Sequence, residues 1–195
     1  MAKAPQSAGG DIGVAGRPAG PRSKGQAKSE AAGGSAEIQI RRPDRAARVI
    51  SFIELLTVPS GKGQGAPFRL EEWQKRFIRD LYEPHRGNGM RFVRRAILSV
   101  ARKNGKTALI AALVLAHLVG PEAIQNGEIY SAANDREQAA QVFKVARQIV
   151  DADHELGKLL KVVPSTKTIT CPSNGSFYRA ISAEAGTKHG LNPSM

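Results

Sequence analysis

The stretch Arg94–Leu118 constrains this chain more than any other. It reads Arg-Arg-Ala-Ile-Leu-Ser-Val-Ala-Arg-Lys-Asn-Gly-Lys-Thr and continues through an almost unbroken apolar run. The pattern predicts a buried strand over Ala96–Val100, a tight basic loop, and a helix opening at Gly105-Lys106-Thr107. That is the layout of a phosphate-binding loop. Backbone N–H groups at a helix N-terminus lack internal partners and lie at the positive end of the helix dipole, so they hold phosphate oxygens. Gly105 lets the backbone approach closely, Lys106 adds a point charge for the outer phosphates, and Thr107 offers a hydroxyl to Mg²⁺.

The tripeptide alone is weak, since Gly-Lys-[Ser/Thr] arises by chance in roughly one chain in ten of this length. The full pattern also asks for glycine five residues before Gly105, where this chain has Val100. An ordinary basic turn before a core helix satisfies the same residues. The strand-then-helix context favours the phosphate loop.

Charge agrees with a polyanionic partner. The net charge is +12 over 195 residues, and its distribution is uneven: +4 in Met1–Ser60, +8 in Gly61–Thr107 and zero in Ala108–Met195. The excess surrounds the loop and suggests nucleotide or nucleic acid, although a solvated basic surface has the same composition. The single cysteine, Cys171, suits a reducing cytoplasm and reads as a small strand hydrophobe. The N-terminus lacks the apolar core of a signal peptide, and the longest apolar run, Ala108–Leu118, is too short to span a membrane. A cytoplasmic protein without a membrane partner is expected.

Residues 1–36 form a Gly-, Ala- and Pro-rich basic tail with almost no large apolar side chain. Such a segment is expected to be disordered, because it cannot offset its ordering entropy; residues 37–195 are read as one domain. A first helix is predicted from Arg45 to Leu56, capped by Asp44, with Val49, Ile53 and Leu56 on one face. Pro59–Gly65 reads as a loop. A helix reaching Tyr82 follows, with Leu70, Trp73, Phe77 and Leu81 sharing a face and Pro84 beyond its end. The Gly87-Asn88-Gly89 turn then leads back to Arg94. Ala108–Leu118 is apolar all round, as in a helix buried on most sides, and Gly120-Pro121 ends it. Glu128–Ala133 reads as a strand, and Asn134-Asp135 with Gln138 reads as the capped start of another helix. This alternation predicts an α/β fold with a parallel sheet. In the last third Leu159–Val163, Thr168–Cys171 and Ser176–Ser182 read as short strands, the latter two joined at Asn174-Gly175 in a hairpin.

An ATPase also needs carboxylates to hold Mg²⁺ and orient water, often supplied by an apolar strand ending in acids. No run of four apolar residues here ends in an acid. Gln148-Ile149-Val150-Asp151 comes nearest, but it lies at the end of a predicted helix. The four histidines (His85, His117, His154, His189) have no metal-ligand spacing and read as surface or packing residues. Trp73-Gln74 admits two readings. In one, Trp73 is core and Gln74 lies on the solvent side; in the other, the Gln74 amide pairs with N6 and N7 of adenine. Its position upstream of the loop favours the second.

Four ordered segments then make a specific pattern: Phe-Arg-Leu-Glu-Glu-Trp-Gln at 68–74, Ser-Val-Ala-Arg-Lys-Asn-Gly-Lys-Thr at 99–107, Ile-Tyr-Ser-Ala-Ala-Asn-Asp-Arg-Glu-Gln-Ala at 129–139, and Gly-Thr-Lys-His-Gly-Leu-Asn-Pro at 186–193. Together they resemble the large terminase subunit of tailed bacteriophages, the ATP-driven motor that packages DNA into a procapsid, over roughly Leu55–Pro193. In that family the loop commonly lacks its first glycine and carries an arginine, so Val100 agrees with it and Arg102 gains interest.

The resemblance implies ATP and Mg²⁺ as cofactors. Trp73 and Gln74 would lie at the adenine, Arg102, Lys103, Asn104, Gly105, Lys106 and Thr107 at the phosphates, and Thr107 at the metal. Lys106 and Arg102 would be catalytic, with Arg102 sensing the γ-phosphate or stabilising transition-state charge; one more solvated or DNA-facing base is the alternative for Arg102. Ala132–Gln138 would couple nucleotide state to DNA grip, and Arg136 and Arg179 are candidates for a finger acting in a neighbouring subunit. Implied partners are double-stranded DNA, a small terminase subunit, a portal protein and further copies in a ring, in the bacterial host cytoplasm. In the family an acidic strand follows the 190–193 segment and a nuclease domain comes later. The chain is therefore expected to be an N-terminal part that binds nucleotide weakly and hydrolyses it poorly. A helicase-like ATPase and a non-catalytic, basic nucleic-acid-binding remnant are the alternatives.

Overall fold

The computed structural model describes residues 44–83, 92–182 and 193–194. The tail reading of residues 1–36, the Gly87–Gly89 turn and the 186–192 part of the last family segment lie outside them. The described elements run α1 (Arg45–Leu55), α2 (Glu72–Tyr82), α3 (Lys106–Leu118), β1 (Glu128–Ala133), α4 (Arg136–Ala152), α5 (His154–Leu159), β2 (Lys161–Val163), β3 (Thr168–Cys171) and β4 (Ser176–Ser182).

Local chemistry starts most of the helices where the sequence predicts. The Asp44 carboxylate accepts from Ala47 N at 2.6 Å to open α1, and Asp135 accepts from Gln138 N at 3.3 Å to open α4. Asp153 does the same for α5, accepting from Glu155 N and Leu156 N. That one-and-a-half-turn helix was not anticipated, and it takes Leu159 out of the expected third-last strand, which begins at Lys161. Side-chain caps of this kind satisfy amide groups that have no partner inside the helix.

The sheet has the order β1-β4-β3-β2. β1 and β4 are parallel, with Ile129 opposite Tyr178, and α4 packs on both of them between the two strands in sequence. β3 and β4 form the antiparallel hairpin expected at Asn174-Gly175, where Gly175 takes φ 71°. The Asn174 carboxamide accepts from Ser176 N and donates to Leu118 O, so the turn also ties off the end of α3. One sheet face, with Ile129, Ile169, Cys171, Tyr178 and Ala180, is buried in the core. On the other, Tyr130 meets the Phe177 ring edge-on and the Arg179 guanidinium lies 5.4 Å above Phe177.

α3 is the axis of the core. It packs against α1 and α4 and reaches β1 and β4, and every residue from Ala111 to Leu118 is buried. His117 is among them, with its Nε2 2.8 Å from the Tyr82 hydroxyl on α2. Burying five large aliphatic side chains contributes on the order of 10 kcal/mol, far more than the ~1 kcal/mol a capping side chain adds. The helix therefore forms whether or not its first turn is capped.

Two expectations need correction. Ala96–Val100 is not a buried strand: it has no ladder partner among the described residues, and Ile97 is 95% exposed. Leu98 and Val100 are half-buried while Ile97 and Ser99 are exposed. Residues 97–100 keep the alternation of a one-sided strand, but the second strand that would complete a ladder is a non-local requirement. On α2, the most buried side chains are Gln74, Ile78 and Tyr82, with Trp73, Phe77 and Leu81 only partly covered. The buried face is rotated by one residue, and this brings Gln74 inward. No described helix is long and apolar enough to cross a membrane.

Candidate nucleotide-binding site

The loop Ala101–Gly105 leads into α3 through two left-handed residues, Lys103 at φ 68° and Gly105 at φ 71°. Glycine adopts that region freely, whereas Lys103 is a non-glycine held there, as happens where surrounding structure fixes a loop for a purpose. No side chain caps α3, and its first described backbone bond runs from Leu109 N to Gly105 O. The first-turn amides are consequently available to an external acceptor. Lys106 bends back so that its ammonium lies 3.4 Å from Val100 O, a long contact that leaves most of its donor capacity free. Among residues 84–121 there is no Asp or Glu, so no carboxylate within that stretch opposes the charge of Arg102, Lys103 and Lys106.

Two cavities open on this loop. The first, about 530 Å³, lies between the loop and the start of α2 and is lined by Phe68, Leu70, Glu71, Trp73 and Gln74 against Lys103, Asn104, Gly105 and Ala108. The second, about 370 Å³, is lined by Arg102, Lys103, Gly105, Lys106 and Thr107 against Val58, Pro59, Ser60, Phe68 and Val145. Phe68, Lys103, Gly105 and Ala108 line both. Every expected cofactor residue thus lines one or other cavity: Trp73, Gln74 and Asn104 the first, Arg102, Lys106 and Thr107 the second, Lys103 and Gly105 both.

Gln74 is only 8% exposed, so the reading that left it on the solvent side does not hold. Its Oε1 accepts from Glu71 N at 2.9 Å, closing the start of α2. Its Nε2 faces the phosphate loop, 3.6 Å from where a Gly105 side chain would begin. The amide therefore spans from α2 to the loop with its donor group on the cavity side.

Other candidates fall elsewhere. Arg179 lines neither cavity; it is held over Phe177 with its Nε 3.4 Å from Thr168 Oγ1. The Arg136 side chain lies outside the described part. Asp151 sits in the last turn of α4, paired with Arg147 at 3.2 Å. The sequence reading did not name Val58–Ser60, Phe68 or Val145 as parts of the site. The alternating glycines 61, 63 and 65 are the available signal for the first group.

The described residues contain no group of three or more His, Cys, Asp or Glu side chains arranged for a metal. Mg²⁺ does not require one, because it keeps several waters and takes one or two protein ligands plus substrate phosphates. A Thr107 hydroxyl beside uncapped amides suits that pattern.

An α/β fold in which a glycine-led, uncapped helix opens onto two joined cavities defines a nucleotide-binding domain of the phosphate-loop class. Within that class the chain belongs to the terminase large subunit family: the family model described as terminase large subunit, ATPase domain, matches residues 72–195. The chain is 50% identical over 151 residues to the terminase large subunit of Enterobacteria phage HK97, covering 76% of this chain and 29% of that protein. The crystal structure of the HK97 bacteriophage large terminase superposes with a TM-score of 0.67 at 46% identity, covering 77% of this chain and 30% of that one. The chain thus spans less than a third of the length of the relatives it matches.

Proposed function

We propose that this chain binds ATP with Mg²⁺ as the nucleotide-binding part of a viral DNA-packaging motor. The observation that carries the reading is the uncapped start of α3 opening on two cavities that meet at Phe68, Lys103 and Gly105. A nucleotide laid across them has its base between Trp73 and Gln74 and its outer phosphates at Arg102, Lys106 and Thr107. The Gln74 Nε2 donates to the adenine edge. The amides of the first turn of α3 and the Lys106 ammonium neutralise phosphate charge, and such pre-aimed donors strengthen in a site that excludes water. Mg²⁺, held by the Thr107 hydroxyl and the phosphates, adds charge neutralisation. Arg102 lies on the side of the outer phosphates, where a guanidinium stabilises charge that develops during transfer.

The described cavity linings hold one acid, Glu71, and it sits on the base side. Nucleotide binding without appreciable turnover is therefore the behaviour we assign to this chain tested by itself. In the motor, hydrolysis would drive duplex DNA toward a procapsid in the host cytoplasm. A ring of copies, a small terminase subunit and a portal protein would be its partners, and the exposed Arg94 and Arg95 provide charge for DNA. The test is titration of a fluorescent ATP analogue with Mg²⁺ into this chain and its Lys106→Ala variant. Saturable binding lost in the variant supports the reading. Equal binding in both, or steady-state turnover abolished by Lys106→Ala, overturns the binding site or the expected inactivity respectively.

A further inference from the structure

Residues 57–67 fold into a tight hairpin at the mouth of the second cavity. Thr57 and Pro67 form its bridge, Val58 N donates to Ala66 O at 2.8 Å, and Gly65 N donates to Val58 O at 3.0 Å. Phe68 N donates to Leu56 O at 2.9 Å, anchoring the root to the end of α1. At the tip Gly61, Gly63 and Gly65 take φ of 82°, 90° and 84°, and a Cβ at any of them would meet nothing within 4 Å. The backbone path, not packing, requires these glycines. The hairpin flank Val58, Pro59 and Ser60 faces Arg102, Lys106 and Thr107 across the cavity. From Leu55 to Leu70 the chain has no acid, and Lys62 is exposed at the tip. A ligand between these walls meets the cations Arg102, Lys103 and Lys106 on the loop side and a hydroxyl on each side, Thr107 and Ser60, a lining suited to a polyanion.

We propose that this hairpin is the second wall of the triphosphate subsite, with Ser60 as a phosphate-binding residue. The Ser60 hydroxyl donates to an outer phosphate oxygen, Lys62 adds positive charge at the tip, and Phe68 packs on the nucleoside where the two cavities join. The inference rests on reading the site as nucleotide-binding. Because Ser60 shares its cavity with Lys106 and Thr107, the contact belongs to the outer phosphates and discriminates ATP from AMP.

The test is titration of ATP and AMP, each with Mg²⁺, into the unaltered chain and the Ser60→Ala, Lys62→Gln and Lys106→Ala variants, with thermal melts to verify folding. A lost hydrogen bond to a charged group weakens ATP binding about tenfold in Ser60→Ala. Lys62→Gln weakens it less and lowers its salt dependence, and neither changes AMP affinity. ATP binding unaltered in both hairpin variants but lost in Lys106→Ala overturns the hairpin's role while the nucleotide site stands. Absence of ATP binding in the unaltered chain, or binding indifferent to Lys106→Ala, overturns the nucleotide reading and the hairpin's role with it.

Discussion

Arg45 and Glu122 are 77 positions apart and form a two-pronged ion pair, with Nε to Oε1 and Nη2 to Oε2 both at 2.6 Å. It fastens the start of α1 to the turn that follows α3. The Glu122 side chain is 2% exposed and that of Arg45 24%, so removing the arginine strands a carboxylate that water cannot reach. Breaking a buried pair from one side costs about 3–5 kcal/mol; the partial exposure of Arg45 sets the expectation for Arg45→Met at the lower end, about 3 kcal/mol. With a urea slope of ~2 kcal/mol per M, the unfolding midpoint should fall by about 1.5 M with the slope unchanged. Glu122→Gln should cost less, about 1–2 kcal/mol. The double variant should recover ~2 kcal/mol relative to the sum of the single ones, since the two residues touch. The Glu122 hydrogen bond raises the Arg45 pKa above its ordinary value, against a smaller opposing effect of burial. A raised pKa makes this contribution complete below the unfolded value and lost only as pH rises beyond it, so the deficit of Arg45→Met should be constant from pH 6 to 9. A midpoint shift under about 0.5 M, or strict additivity in the double variant, would refute the argument. Because α1 runs straight into the Thr57–Pro67 hairpin, the same pair helps to position the hairpin against the phosphate loop.

Two further outcomes are expected. Burial pushes the Tyr178 phenol above its ordinary value, up to about 12, with the Ser131 hydrogen bond opposing it. The neutral form is thus favoured in the folded state, and the resulting stability, on the order of 2 kcal/mol, is complete below pH 10 and lost as pH rises toward 12. Urea midpoints measured from pH 9 to 12 should therefore drop more steeply for the unaltered chain than for Tyr178→Phe; equal slopes would remove Tyr178 as the cause. Gln74→Ala removes both the acceptor for Glu71 N and the donor facing the cavity. It should weaken ATP binding about fivefold, the loss expected of one neutral hydrogen bond, and cost about 1 kcal/mol of stability. Unaltered ATP affinity in the folded variant would count against a base-binding role.

The parts of this fold that are legible in the chain are those decided within a few residues. Asp44 and Asp135 cap α1 and α4 because a carboxylate next to a helix start reaches amides three residues on. Asn174-Gly175 turns because Gly175 can take a positive φ. The continuous apolar run of α3 announces burial on all sides. The phosphate loop is legible for the same reason, as its glycine, lysine and threonine are adjacent in sequence. The short helix α5 is not legible, although Asp153 is a usable cap signal, because 6 residues show too little periodicity.

What the sequence determined by itself, then, is where α1, α3 and α4 start and the β3–β4 hairpin, each fixed by contacts between near neighbours. Only the tertiary structure decided whether Ala96–Val100 would have a ladder partner, which face of α2 turns inward, and that Gln74 spans from α2 to Gly105. It alone brought the Arg45 guanidinium to Glu122 and set the Val58–Ser60 wall across a cavity from Lys106. Each of these depends on which distant surface the packing of α3 brings alongside, and no local pattern of residue types encodes that.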